Sequence, residues 1–93
     1  TAEYGIAQCV EASGFPAEAL SAYEGFIKNN PNHYLSPPAT LGKGRALTAL
    51  GQLAEARSLY EEFIAASPDS PWVLDADSLL KFVEKEIRAQ GGQ

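Results

Sequence analysis

Only one cysteine, Cys9, occurs in the 93 residues of this chain, so an internal disulfide and a multi-cysteine metal site are both excluded. A lone thiol suits a reducing or an oxidising compartment equally. Histidine is as scarce. His33 is the only one, and it lies in a stretch rich in Pro and Asn rather than beside a nucleophile. Nucleophilic catalysis needs a base next to the nucleophile, so an enzyme of that type is not expected. Basic side chains are few and scattered singly, seven against twelve acidic ones, for a formal net charge of -5. Phosphate binding wants clustered Lys and Arg, so nucleic acid is not an expected partner. No apolar run approaches the roughly 18 residues of a bilayer span, and no basic-then-apolar leader opens the chain at Thr1. Direct membrane insertion is therefore not expected. What is present, 45% hydrophobic residues with ordinary Gly and Pro content, places the chain in the soluble globular class. Its length allows one small domain that buries roughly 60–65% of its unfolded surface.

The chain repeats itself. "AYEGFIKNNP" runs from Ala22 to Pro31, and "LYEEFIAASP" from Leu59 to Pro68. At a constant offset of 37 residues Gly14 matches Gly51, Ala19 matches Ala56 and Tyr23 matches Tyr60. Glu24 and Glu61, Phe26 and Phe63, Ile27 and Ile64, Pro31 and Pro68 follow in the same register. Chance supplies one or two such identities, not these seven pairs.

Each unit predicts two helices. In the first, Ile6, Ala7 and Val10 share a face, Gly14 gives a left-handed stop, and Pro16 opens the next helix. That helix carries Ala19, Leu20, Tyr23, Phe26 and Ile27 as an apolar stripe and stops at Asn29-Asn30. In the second unit Pro37 and Pro38 sit at a helix start, and Leu41, Gly44, Leu47 and Leu50 form the expected buried face. Gly51 ends that helix, and its partner buries Ala56, Leu59, Tyr60, Phe63 and Ile64. Gly25 and Glu62 hold the same outward position in the two second helices, where Gly is a propensity weakness of about 1 kcal/mol. After Pro68 a longer amphipathic stretch places Trp72, Ala76, Leu79, Leu80, Val83 and Ile87 at helical spacing. Its charged far side suits a terminal cap, which a repeat stack needs for solubility. The expected N-caps are Asp69 and Ser70.

These features resemble the tetratricopeptide repeat, whose pattern is W-x2-L-G-x2-Y…A-x3-F…P over about 34 residues. Gly44, Leu47, Ala56, Tyr60 and Pro68 match it in the second unit, and Ala7, Val10, Ala19, Tyr23 and Pro31 in the first. Glu3 and Thr40 stand where the family has its early Trp, Lys43 takes a usually aliphatic position, and the period is longer. The resemblance implies an all-α fold. Two helix–turn–helix repeats, about 3–31 and 37–68, and a capping helix at about 70–89 would form one domain with a right-handed stack. The lengthened connection and the "PDSPW" junction are similar to repeats common in bacterial envelope proteins, which implies a cell-envelope location.

Other chemistry has weak support. Cys9 near the core face is expected to act as a small hydrophobe, with His33 solvated or locally bonded. Asp69, Asp75 and Asp77 crowd the start of the last helix without EF-hand spacing, so they are expected to serve the helix dipole rather than calcium. The Gly-x-Gly of "LGKGRA" lacks the spacing and the preceding strand of a phosphate loop. Gly44 is expected to be a close-packing position, and Gly42 a mild weakness within the helix. The recurring aromatics are expected in the core. No catalytic, cofactor or metal site is therefore expected. The resemblance instead implies a non-enzymatic scaffold that takes another protein or a peptide segment on its concave side. The family's groove positions fall on Tyr4, Gln8, Glu11, Leu41, Arg45, Thr48, Ser78 and Lys85, with Arg45, Glu11 and Lys85 expected to set charge preference. The family's Lys/Asn carboxylate clamp is not matched at Tyr4, Gln8, Leu41 and Arg45. The alternatives are a self-association module, in which a bare Ile6 or Cys9 on the first helix drives dimerisation, and a fragment of a longer array.

Overall fold

Two glycines set the hairpins. Gly14 and Gly51 have φ of 90° and 83°, the left-handed region in which a Cβ would be strained. Around each, the chain closes the same pair of bonds: Gly14 N–H to Glu11 O with Phe15 N–H to Val10 O, and Gly51 N–H to Thr48 O with Gln52 N–H to Leu47 O. This is a Schellman stop, written twice. A computed structural model describes residues 2–91. It contains α1 (Ala2–Ala12), α2 (Pro16–Asn29), α3 (Ser36–Ala49), α4 (Leu53–Ala66) and α5 (Val73–Gly91), with no strand among the described residues. Thr1, the Ala2 and Glu3 side chains, Gly92 and Gln93 lie outside that description. The fold is all-α and tetratricopeptide-like, two antiparallel hairpins (α1–α2 and α3–α4) followed by α5.

The repeat extends through the connections, where the sequences differ. Asn30 and Ser67 end α2 and α4 with nearly the same backbone, φ/ψ of -139°/58° and -136°/60°. His33 N–H donates to Asn30 O and Ser36 N–H to His33 O; 37 residues on, Ser70 N–H donates to Ser67 O and Val73 N–H to Ser70 O. Side chains follow the backbone. His33 Nδ1 accepts the Leu35 amide at 3.0 Å, and Ser70 Oγ accepts the Trp72 amide at 3.1 Å. The one histidine thus performs the turn-capping task that a serine performs in the next repeat. Ser70 serves this turn and α5 begins later, at Val73, so Ser70 and the exposed Asp69 are not its N-caps as the sequence suggested.

The core is built from small residues under large ones. One cluster gathers Ala7, Ala19, Tyr23, Phe26, Ala39 and Ala46. The other gathers Leu41, Leu47, Leu53, Ala56, Tyr60, Ala76 and Val83, and Leu20 packs against both. Tyr23 and Tyr60 are completely buried. Helix α3 touches α1, α2, α4 and α5, which explains why no single apolar stripe describes it. Gly44 lies under Tyr60, where a Cβ would come within 2.5 Å of the ring.

Four expectations need correction. Gly42 is no weakness: a Cβ there would collide with Cζ, Cε1 and Cε2 of Tyr23, so glycine lets α2 and α3 approach. Leu50 is exposed, because it is the residue after the last turn of α3 and points past the core. Ile6 is 59% exposed and Cys9 is exposed, since α1 has a neighbour on one side only and Ala7 takes the buried position. Cys9 therefore does not fill the core. Gly25 is in open space, as an outward position requires, and Glu62 is exposed.

Candidate functional site

The first helices of the hairpins and α5 lie next to one another, α1 touching α3 and α3 touching α5. Each offers a pair one turn apart: Tyr4 and Gln8 on α1, Leu41 and Arg45 on α3, Asp75 and Leu79 on α5. All six line one cavity of about 430 Å³, with Ser78 at the same wall. Five of the groove positions named from sequence, Tyr4, Gln8, Leu41, Arg45 and Ser78, are thus neighbours of one hollow. Arg45 and Leu79 also line a second, more apolar cavity of about 540 Å³, formed with Thr48, Leu53, Tyr60 and Phe82. Sharing Arg45 and Leu79, the two hollows adjoin, the first lined from α1, α3 and α5 and the second from α3, α4 and α5. A third hollow of about 740 Å³ lies on the opposite face between α2 and α4, where Lys43 reaches Glu24 at 3.7 Å.

A polar network ties the groove to the core. Arg45 donates through Nε to Glu11 Oε2 at 2.7 Å and through Nη2 to Oε1 at 3.0 Å. The buried Tyr23 hydroxyl donates to the same Oε1 at 2.7 Å. Burial alone would raise the Glu11 carboxyl. The hydrogen bonds from Arg45 and Tyr23 and the Arg45 charge outweigh it and hold the carboxyl below its ordinary value. Burial and the Glu11 carboxylate push the Tyr23 phenol well up. On α1, Gln8 Nε2 donates to the Tyr4 hydroxyl at 3.2 Å, and the Tyr4 ring meets Tyr23 and Phe26 at 6.2 and 5.7 Å. Tyr4 is thereby fixed as one wall.

Charge is distributed differently from expectation. Arg45 and Glu11 cancel each other, and Lys85 is exposed and lines neither hollow. In its place α5 presents Phe82 and Glu86. Asp75 and Glu86 enter no ion pair among the described residues, so the groove's uncompensated charge is negative. Phe82 was legible, since it stands 37 residues after Arg45; Asp75 and Glu86 were not, because the rotation of α5 against α3 is a packing outcome. Among the described residues no group of three His, Cys, Asp or Glu could hold a metal, and Asp77 pairs with Lys81 at 3.0 Å. No helix among them is long and apolar enough to cross a membrane.

A family model described as tetratricopeptide repeat matches residues 4–71. Comparison with curated proteins and with solved structures gives no match. Repeats of that family generally mediate protein–protein interaction and are typically non-enzymatic. The match runs through both hairpins and spans well over half of the chain, which therefore belongs to the tetratricopeptide-repeat family.

Proposed function

We propose that this chain is a protein-interaction scaffold whose groove across α1, α3 and α5 binds an amphipathic, basic segment of another protein. One observation carries the reading. Two unpaired carboxylates, Asp75 and Glu86, flank apolar walls supplied by Leu41, Leu79, Leu53 and Phe82, while the groove's one cation is already neutralised. The carboxylates are 11 residues apart on α5, about 16 Å at helical rise. Five extended residues cover that span at roughly 3.3 Å each. A short segment with an apolar centre and a Lys or Arg toward each end matches that pattern of charge and size.

Panning a displayed random dodecapeptide library on the chain tests this. Enriched peptides are expected to carry Lys or Arg beside aromatic or aliphatic residues. Their affinity, measured by calorimetry, is expected to fall about tenfold in the Asp75→Lys/Glu86→Lys double variant and to weaken with added salt. Tyr4→Ala is expected to weaken them further through loss of a groove wall. Acidic enriched peptides, equal affinity for the double variant, or no enrichment would each overturn the reading.

A second reading is self-association through α1, favoured by the 59% exposure of Ile6 with Cys9 exposed on the same helix. Sedimentation velocity over a concentration series distinguishes it. A dimer that Ile6→Lys abolishes supports it, and a monomer at all concentrations removes it.

A further inference from the structure

The two ends of the stack are finished differently. Where the hairpins meet, α2 seats on α3 through a glycine: Gly42 lies under the Tyr23 ring, which leaves no room for a Cβ. Ala39 and Ala46, one turn to either side, are buried in the same cluster. Around that seat α3 is polar. Lys43 reaches Glu24 of α2 at 3.7 Å, and Lys43 and Gln52 line the hollow that α2 borders with Leu20, Glu24 and Ile27. Moving Gly42, Lys43, Ala46 and Gln52 back by 37 residues gives Gly5, Ile6, Cys9 and Phe15. The seat recurs on α1, small at Gly5 and Cys9, with nothing within 4 Å of a Cβ at Gly5. Its rim has changed. Both polar positions are now large and apolar, with Ile6 59% and Phe15 56% exposed.

At the other end there is no seat. Gly44, which lies under Tyr60 of α4, has Lys81 as its counterpart on α5, and Lys81 pairs with Asp77 at 3.0 Å. The stack is closed by charge at α5 and left apolar and uncovered at α1. We infer that this uncovered side of α1 docks one helix of a partner protein, seated as α2 is seated on α3. The occupied junction defines what that helix carries. An aromatic ring lies over Gly5, as Tyr23 lies over Gly42. The residue after it is aliphatic, because Ile6 stands where Lys43 meets Glu24. A second copy of this chain has no such helix to spare, since α2 already packs against α1 and α3, and α4 against α3 and α5. Gly25 fits the same geometry: its counterpart Glu62 lines the hollow across from α2, so Gly25 looks toward the docked helix and leaves it room. None of Gly5, Ile6, Cys9 and Phe15 lines the groove, so the two surfaces are separate.

The probe is a synthetic peptide spanning residues 15–31 with Glu24→Leu, which carries the required aromatic–aliphatic pair. Fluorescence anisotropy measures its binding to the full chain. It is expected to bind, and to bind at least about tenfold more weakly when its own Tyr23→Ala change removes the ring. In the chain, Gly5→Leu is expected to leave the melting temperature unchanged or raise it, since the site is open, and to abolish binding. Cys9→Ala is expected to keep it, because Ala46 fills that place at the occupied junction. Asp75→Lys/Glu86→Lys is also expected to keep it, which separates this face from the groove. No binding of the peptide, binding that Gly5→Leu leaves intact, or binding that the double variant removes would each overturn the inference. So would a dimer in sedimentation velocity that Gly5→Leu abolishes, because a second copy would then be the occupant.

Discussion

Gly42→Ala is expected to lower the melting temperature by about 5–10 °C, while Gly25→Ala raises it by a few degrees. The same substitution has opposite signs because only one site has room. An interior helical Gly→Ala change gains about 0.5–1 kcal/mol of propensity. At Gly25 nothing lies within 4 Å of the added carbon, so the gain is expected in full. At Gly42 the carbon would lie 2.6 and 2.7 Å from Cε1 and Cε2 of Tyr23, and closer to Cζ. That ring is fully buried and held at its hydroxyl by Glu11, so it has nowhere to retreat. Overpacking of a tight core costs about 1–3 kcal/mol, and this contact belongs at the upper end. The net loss is about 1–2 kcal/mol, and each kcal/mol is worth about 4–8 °C in a domain of this size. Thermal unfolding followed by circular dichroism checks both signs. A stabilising Gly42→Ala would mean that α2 and α3 are not packed this closely.

Glu11→Gln is expected to cost about 1–2 kcal/mol at neutral pH and to remove part of the chain's acid sensitivity. The carboxylate holds both Arg45 bonds and the Tyr23 hydroxyl, and charge-assisted bonds contribute about 1.5–3 kcal/mol each when well shielded. Here Glu11 and Arg45 side chains are 27% and 38% exposed, so solvent screening reduces the total. The pH dependence follows from the direction of the shift. The folded pKa of Glu11 is held below the ordinary 4.5, so its stabilisation is complete above that value and is lost as pH falls through the folded pKa. Wild type and Glu11→Gln are therefore expected to differ most near pH 7 and to converge as pH falls from 4.5 through the folded pKa, as read from melting temperatures across that range. A constant gap down to pH 3 would show that the carboxylate charge contributes nothing.

The fold was legible because its determinants are local. A glycine at each turn, proline at the openings and an apolar stripe every 37 residues dictate the hairpins with little help from distant contacts. What stayed hidden depended on neighbours. Gly42 looked like a propensity weakness because its partner, Tyr23, is 19 residues away on another helix. Cys9 looked core-facing because periodicity shows which residues share a face, not whether a second helix covers it; the bare Ile6 was anticipated only in the self-association alternative. The groove was half legible. Family register gave Tyr4, Gln8, Leu41, Arg45 and Ser78, but it could not show that Arg45 is neutralised by Glu11, 34 residues away. Nor could it show that α5 turns Lys85 outward and brings Asp75 and Glu86 to the wall. His33 was the reverse case: an uncommon residue doing a common task, visible only when its bond to the Leu35 amide is compared with that of Ser70.

Which face of the stack binds is decided by backbone amide chemical-shift mapping with an enriched lysine-bearing peptide. Shifts are expected to concentrate on the α1, α3 and α5 walls, at Gln8, Leu41, Arg45, Ser78, Phe82 and Glu86. Shifts concentrated instead on the α2–α4 face, at Glu24, Ile27, Ser58 and Glu62, would contradict it.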